Sequence, residues 1–222
     1  MKEELTSHKN AFGCCGIGDC EAYLREHYGS EPALVREKIL PLDADTNLQM
    51  SGRRGAENCS VAAVARVTEF WCNRQEIKFP HYLADTYQVA EILAATKYNY
   101  SAKKGLGQLK IKPLLHEVAH RYGINLDCSL HFLWNYKKHI EGEIDAEKPV
   151  ILNIALGYYR NHSVTVAGYR VYDCGGRTVT MLCVIDGWNE GPRYIDLREF
   201  RRFPGFKGIS SVSTAKLSTL TQ

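Results

Sequence analysis

A thiol, an imidazole and a carboxylate stand in a suggestive order along this chain. Cys59 follows a glycine-containing loop, SGRRGAEN over 51–58, and opens the alanine-rich run SVAAVARVTEFWC over 60–72. A helix N-terminus carries unpaired amide donors and partial positive charge, which favour a thiolate over a thiol. Asn58, just before it, is a candidate N-cap. His162 lies 103 residues further on, in Arg160-Asn161-His162-Ser163-Val164. An imidazole there could take the thiol proton and later protonate a leaving amine. Asp186 comes 24 residues after the histidine, at the end of Leu182-Cys183-Val184-Ile185 and before Gly187-Trp188-Asn189. A carboxylate at that strand end could accept the imidazole N–H and fix its tautomer, with Trp188 shielding the bond from water. Each residue also has an ordinary reading: a packed cysteine, a turn histidine, and an Asp-Gly turn.

The elements that must position these groups fall into two halves. Val61, Val64, Ala65, Phe70 and Trp71 have helical spacing, so a helix follows Cys59. Further helices are expected over about 85–95, 113–122 and 132–141, with a short one over 21–27. Pro113 at the start and Gly123 past the end frame the third. After Pro149 the period changes. Residues 150–154, 162–171, 177–185 and 194–197 read as strands, with Cys174-Gly175-Gly176 as a hairpin turn. Helices followed by antiparallel strands indicate an α+β fold, a helical N-terminal half packed on a C-terminal antiparallel sheet. Residues 1–44 read as a lead-in, 45–210 as the domain, and 211–222 as a polar tail expected to fray.

Two other motifs compete for attention. His116-Glu117-Val118-Ala119-His120 matches a zinc-peptidase string. It lacks a clear third ligand, and Leu114, Leu115, Val118 and Ala119 make an ordinary packing stripe that turns His116 and Glu117 towards solvent. Gly13 to Cys20 holds three of the eight cysteines. It reads as a flexible loop, with a self-cleaved or redox-sensitive segment as the alternative. Cys72, Cys128 and Cys183 sit among apolar neighbours and read as buried thiols.

The text around the three candidate residues resembles the papain-like cysteine peptidases. It is most similar to the bacterial branch that holds streptopain and the bacteriocin-processing peptidases. The motifs are Asn-Cys-Ser before the alanine-rich helix, Lys-Pro-Val-Ile-Leu, Asn-His-Ser-Val-Thr-Val-Ala-Gly-Tyr around His162, and Val-Ile-Asp-Gly-Trp followed by Tyr-Ile-Asp-Leu. They span about residues 45–205. The resemblance implies Cys59 as nucleophile, His162 as base and Asp186 as the orienting acid, with Asn58 and Trp188 in the site wall. It also implies a glutamine oxyanion donor before the cysteine. The usual offset of six falls on Arg53, so Gln49, ten before Cys59, takes that place with the Cys59 amide. The activity implied is hydrolysis of a peptide or isopeptide bond through a thioester, with no metal or organic cofactor. Acyl transfer by the same triad and an inert binding module are the rivals.

Composition sets outer bounds. With 45% hydrophobic and 24% charged residues the chain can bury a full core. A net charge of +3, scattered along the chain, gives no nucleic-acid footprint, and no apolar stretch is long enough to span a membrane. The partner expected is a peptide or protein substrate. The charged first ten residues lack a signal-peptide core, which points to the cytoplasm unless a leader has been removed. Oligomeric state is not readable.

Overall fold

The alanine-rich run does form a helix, and it is the centre of the helical half. A computed structural model describes residues 16–42, 57–75, 83–132, 135–155, 159, 161–189, 191–198 and 208–218. Its helices are α1 (Cys20–Tyr28), α2 (Cys59–Arg74), α3 (Leu83–Tyr98), α4 (Ile111–Arg121) and α5 (Tyr136–Asp145). Its strands are β1 (Pro32–Ile39), β2 (Leu126–His131), β3 (Val150–Ala155), β4 (His162–Cys174), β5 (Thr178–Ile185), β6 (Arg193–Asp196) and β7 (Gly208–Leu217). The strands form one sheet, ordered β2-β7-β3-β4-β5-β6, with β1 paired to β4. The pairings are antiparallel throughout. A mixed fold of helices and an antiparallel sheet therefore stands as expected.

Helix α2 is buried on almost every side, from Ser60 to Thr68 and again from Phe70 to Cys72. A helix with apolar residues all round belongs inside a domain, not on its surface. Val61, Val64 and Val67 share the main core with Leu114, Leu115 and Val118 of α4 and with Val150, Leu152, Val164 and Val166 of β3 and β4. Each such side chain contributes about 1.5–3 kcal/mol by leaving water. This packing fixes the start of α2 against the start of β4. A second cluster joins Tyr23 and Leu24 of α1 to Val179, Met181 and Cys183 of β5.

Several boundaries differ from those read in the sequence. The segment from 211, expected to fray, instead supplies most of β7, which lies between β2 and β3. Its Ser211, Val212 and Ser213 are buried. Short polar side chains mislead a hydropathy reading, but a strand paired on both edges needs only small residues that can bond sideways. The expected lead-in likewise contributes α1 and β1 to the packed structure. In the Gly13–Cys20 segment, residues 13–15 lie outside those described. Ile17, however, is fully buried and bridges Tyr194, and Cys20 is buried at the start of α1, so this part is no loose loop. The helix expected over 132–141 begins later, at Tyr136, and an unexpected strand, β2, precedes it. Cys72, Cys128 and Cys183 are buried thiols, as expected.

Strand β4 spans 13 residues and exchanges partners along its length. Its first residues pair with β3, from His162 opposite Ile154 to Val166 opposite Val150. Beyond a shift in register near Ala167, its later residues pair with β1 on that side and with β5 on the other. Gly168 permits the change: a Cβ there would lie 2.3 Å from the Lys38 carbonyl oxygen.

Candidate active site

Cys59 is the first residue of α2 and His162 the first of β4. Both line one cleft of about 260 Å³, with Ser60, Ser163, Asn153 and Gln108 also in its walls. The main-chain amide of Ser163, next to the histidine, and the amide and hydroxyl of Ser60 favour the ionised form of the Cys59 thiol, with Ser60 Oγ 4.0 Å from the sulfur. Residues 103 positions apart therefore meet where a helix start abuts a strand start.

The imidazole is enclosed. His162 is only 4% exposed. Trp188 stacks on it with centroids 3.7 Å apart, and Tyr159 lies parallel at 5.7 Å. Its Nε2 sits 2.8 Å from the main-chain carbonyl oxygen of Asp186. A carbonyl can only accept, so Nε2 carries the hydrogen and Nδ1 is the basic nitrogen of the neutral ring. Burial pushes the His162 pKa down to about 3; the Asp186 carbonyl opposes this, while the Arg66 charge adds to it.

Asp186 therefore meets the histidine, but through a different group from the one the sequence suggests. Its carboxylate faces away, into its own turn. Oδ1 accepts from the amides of Trp188 and Asn189 at 2.9 and 3.0 Å. Oδ2 accepts from Asn189 Nδ2 at 2.7 Å and from the Tyr159 hydroxyl at 3.2 Å. Burial raises the carboxyl pKa, and these donors pull it back towards the ionised form. The carboxylate thus holds the turn that carries both the carbonyl and Trp188. An Asp-Gly turn favours this geometry, since aspartate caps amides two and three residues on.

The thiol departs from expectation in its acidity. Burial raises the Cys59 pKa more than the Ser163 and Ser60 hydrogen bonds lower it. The helix start alone does not yield a standing thiolate, because partial burial of the sulfur outweighs its donors and the neighbouring imidazole is neutral. Asn58 holds the expected N-cap position, and its carbonyl accepts from the Ala62 amide at 3.0 Å, but the cap is made by the main chain alone. Its side chain makes no capping bond to α2; it is buried and donates to the Tyr87 hydroxyl at 2.7 Å. Trp188 stacks on the histidine, but neither Trp188 nor Asn58 is among the described residues lining the cleft. Gln49 and Arg53 lie outside the described residues.

One feature of the cleft has no counterpart in the sequence reading. A row of polar side chains crosses the sheet behind the thiol. The Ser60 and Ser163 hydroxyls are 3.0 Å apart, and Ser163 donates to Asn153 Oδ1 at 2.7 Å. Asn153 Nδ2 donates to Ser211 Oγ at 3.0 Å, and Ser211 donates to Gln108 Oε1 at 2.8 Å. The register explains it: Ser163, Asn153 and Ser211 are direct cross-strand neighbours on β4, β3 and β7. The one available signal was Asn153 interrupting the apolar run Val150-Ile151-Leu152.

The His-Glu-Val-Ala-His string lies on α4, with the His116 and His120 rings 6.5 Å apart. Glu117 is half-buried instead of facing solvent. It accepts from the Tyr98 hydroxyl at 2.6 Å and pairs with Lys97 at 2.7 Å. Among the described residues no cluster of three or more His, Cys, Asp and Glu is arranged to hold a metal ion. Nor is any described helix long and apolar enough to cross a membrane.

Comparison with known protein families matches residues 42–203 to the Peptidase_C39 like family. No curated protein matches the chain. The matched segment contains α2, β3, β4, β5 and both sides of the cleft, and it points to a cysteine peptidase of the papain-like superfamily. The chain belongs to the Peptidase_C39 like family.

Proposed function

We propose that this cleft hydrolyses peptide or isopeptide bonds through a thioester on Cys59. The observation that carries the reading is the meeting of Cys59 and His162 in one cleft, with Nε2–H committed to the Asp186 carbonyl. In the resting site both groups are neutral. As the substrate carbonyl seats, the Cys59 Sγ–H proton passes to His162 Nδ1 and the sulfur bonds the carbonyl carbon. The Asp186 carbonyl, accepting from Nε2–H, stabilises the imidazolium so formed. The oxyanion lies at the start of α2, where the Cys59 amide donates to it, and the resemblance assigns the second donor to Gln49. The imidazolium then protonates the leaving amine, and the C–N bond breaks to leave the thioester. Water, deprotonated by Nδ1, releases the acid and restores the thiol.

Acetylation by p-nitrophenyl acetate tests this directly, with the adduct located by peptide mass spectrometry. The expected result is an acetyl group on Cys59 that forms with a burst of nitrophenolate and then turns over. His162→Ala should slow its formation about 10³-fold. Acetylation spread evenly over the described cysteines, or none on Cys59, overturns the reading.

A further inference from the structure

We infer that the Ser60 hydroxyl is a catalytic donor, which turns its one hydrogen to Cys59 Sγ as the thiol gives up its proton. The inference deepens the proposed mechanism and rests on Cys59 being the nucleophile. Ser60 is the second residue of α2 and is buried in the wall of the cleft, with its Oγ 4.0 Å from the sulfur.

The polar row decides where that hydrogen can go. Ser211 gives its own hydrogen to Gln108 Oε1, so it accepts from Asn153 and draws Nδ2 to its side. Asn153 Oδ1 then faces Ser163 and takes its single hydrogen at 2.7 Å. Ser163 Oγ therefore has only lone pairs to offer Ser60, 3.0 Å away. The Ser60 hydrogen thus has three acceptors around it: Ser163 Oγ, the Leu106 carbonyl oxygen at 3.1 Å, and the sulfur. While the sulfur is a thiol it is the weakest of the three. Once its proton passes to His162 Nδ1 it carries a charge, and a charge-assisted hydrogen bond is about twice as strong as a neutral one. The hydrogen then turns from oxygen to sulfur by rotation about the Cβ–Oγ bond, and the charge draws the hydroxyl inside 4.0 Å. Ser163 keeps its bond to Asn153 throughout, so the row stays joined when Ser60 turns away. As the sulfur bonds the carbonyl carbon its charge passes to the oxyanion, and the hydrogen returns to oxygen; no covalent bond of Ser60 is made or broken. Burial opposes ionisation of this thiol, so a donor that answers only to the charge stabilises the route to the thioester more than the resting site.

The test titrates the Cys59 thiolate by its ultraviolet absorbance on the full chain, as the difference between each protein and the same protein carrying Cys59→Ala as well. Ser60→Ala should move the midpoint up by about one pH unit, since a hydrogen bond to a charged group outweighs the neutral one it replaces by about tenfold in the equilibrium. Alkylation of Cys59 by iodoacetamide at neutral pH should slow by only about threefold, because a more basic thiolate is also more nucleophilic. Ser60→Thr keeps the hydroxyl and should titrate like the wild type. The Glu57 charge, which acts against ionisation, is the same in every variant. A side chain that merely packed would slow alkylation without moving the midpoint. An unmoved midpoint in Ser60→Ala, with Cys59 still acetylated by p-nitrophenyl acetate, overturns the role of Ser60 and leaves the proposed function standing. A midpoint in Ser60→Thr displaced as far as in Ser60→Ala overturns it too. Absence of any acetyl group on Cys59 defeats the mechanism on which the inference rests.

Discussion

The two ends of β4 are built for different tasks. The first residues, from His162 to Thr165, are buried yet partly polar, and the His162 ring and the Ser163 hydroxyl each have a specific partner in the cleft or beside it. The later residues, from Gly168 to Cys174, pack tyrosines. Tyr172 joins the α1 cluster, and the Tyr169 hydroxyl bonds Asp145 and Arg36, tying β1 and α5 to the strand. One end spends burial on orienting groups, and the other uses it for cohesion. Hydrogen bonds across the first end hold geometry more than they add stability, because each exchanges water for a protein partner at a small net gain. At the other end the apolar area itself is the stabilising quantity.

That contrast breaks most sharply at the thiol. Cys59→Ala should lower acyl turnover more than about 10⁴-fold, as loss of a covalent nucleophile does elsewhere, and leave the melting temperature nearly unchanged. Steady-state assay beside calorimetry would show it. At the other end Gly168→Ala should do the opposite. Its Cβ would press on the Lys38 carbonyl and the Ile39 backbone, costing about 1–3 kcal/mol of stability. Thermal melts should fall, while the acylation rate per folded molecule stays as it is. A loss of rate without loss of stability would erase the distinction between the two ends.

Asp186 sharpens the comparison because one residue serves both purposes. Asp186→Asn keeps the main-chain carbonyl and an Oδ1 for the Trp188 and Asn189 amides, but puts an NH₂ against Asn189 Nδ2 and the Tyr159 hydroxyl. It should lower kcat/KM about tenfold. A fall near 10⁴-fold, the size seen when a carboxylate directly holds a catalytic imidazole, would mean that the side chain is the partner of Nε2.

The smallest effect expected is a displacement along the pH axis. His162, driven down to about 3 by burial, stays a competent base below the usual histidine range, so the acid limb of kcat/KM should lie well under pH 6.5. Stability follows the same group. The unfolded chain takes up a proton below about 6.5 while the folded site resists until about 3, so this residue's contribution is present above 6.5 and is lost as pH falls across that window. His162→Asn should flatten the decline in urea midpoints between neutral pH and pH 4.

The sequence is most informative where side-chain type and backbone period agree. Val61, Val64 and Phe70 mark α2, and alternation marks β4, so the two elements that bring Cys59 and His162 together are legible. Strand β7 is not, because SSVSTAKL lacks the apolar side chains by which a buried strand is usually recognised, and its partners on β2 and β3 are remote in sequence. The Asp186 carbonyl is illegible for a deeper reason. A main-chain oxygen belongs to every residue, so no residue type can announce its use. Its place on a helix suggests an acidic Cys59, but that acidity depends also on which walls close around the sulfur, which only the fold supplies.

Strand β7 has one further consequence. During synthesis the chain emerges in order, and both α2 and β4 leave the ribosome before residue 208. Until β7 slots in, β2 and β3 have no common neighbour and Ser211 cannot reach Asn153 or Gln108. A nascent chain therefore carries its sulfur and imidazole before the polar row behind them is joined, and the cleft is finished late, by the strand that closes the sheet.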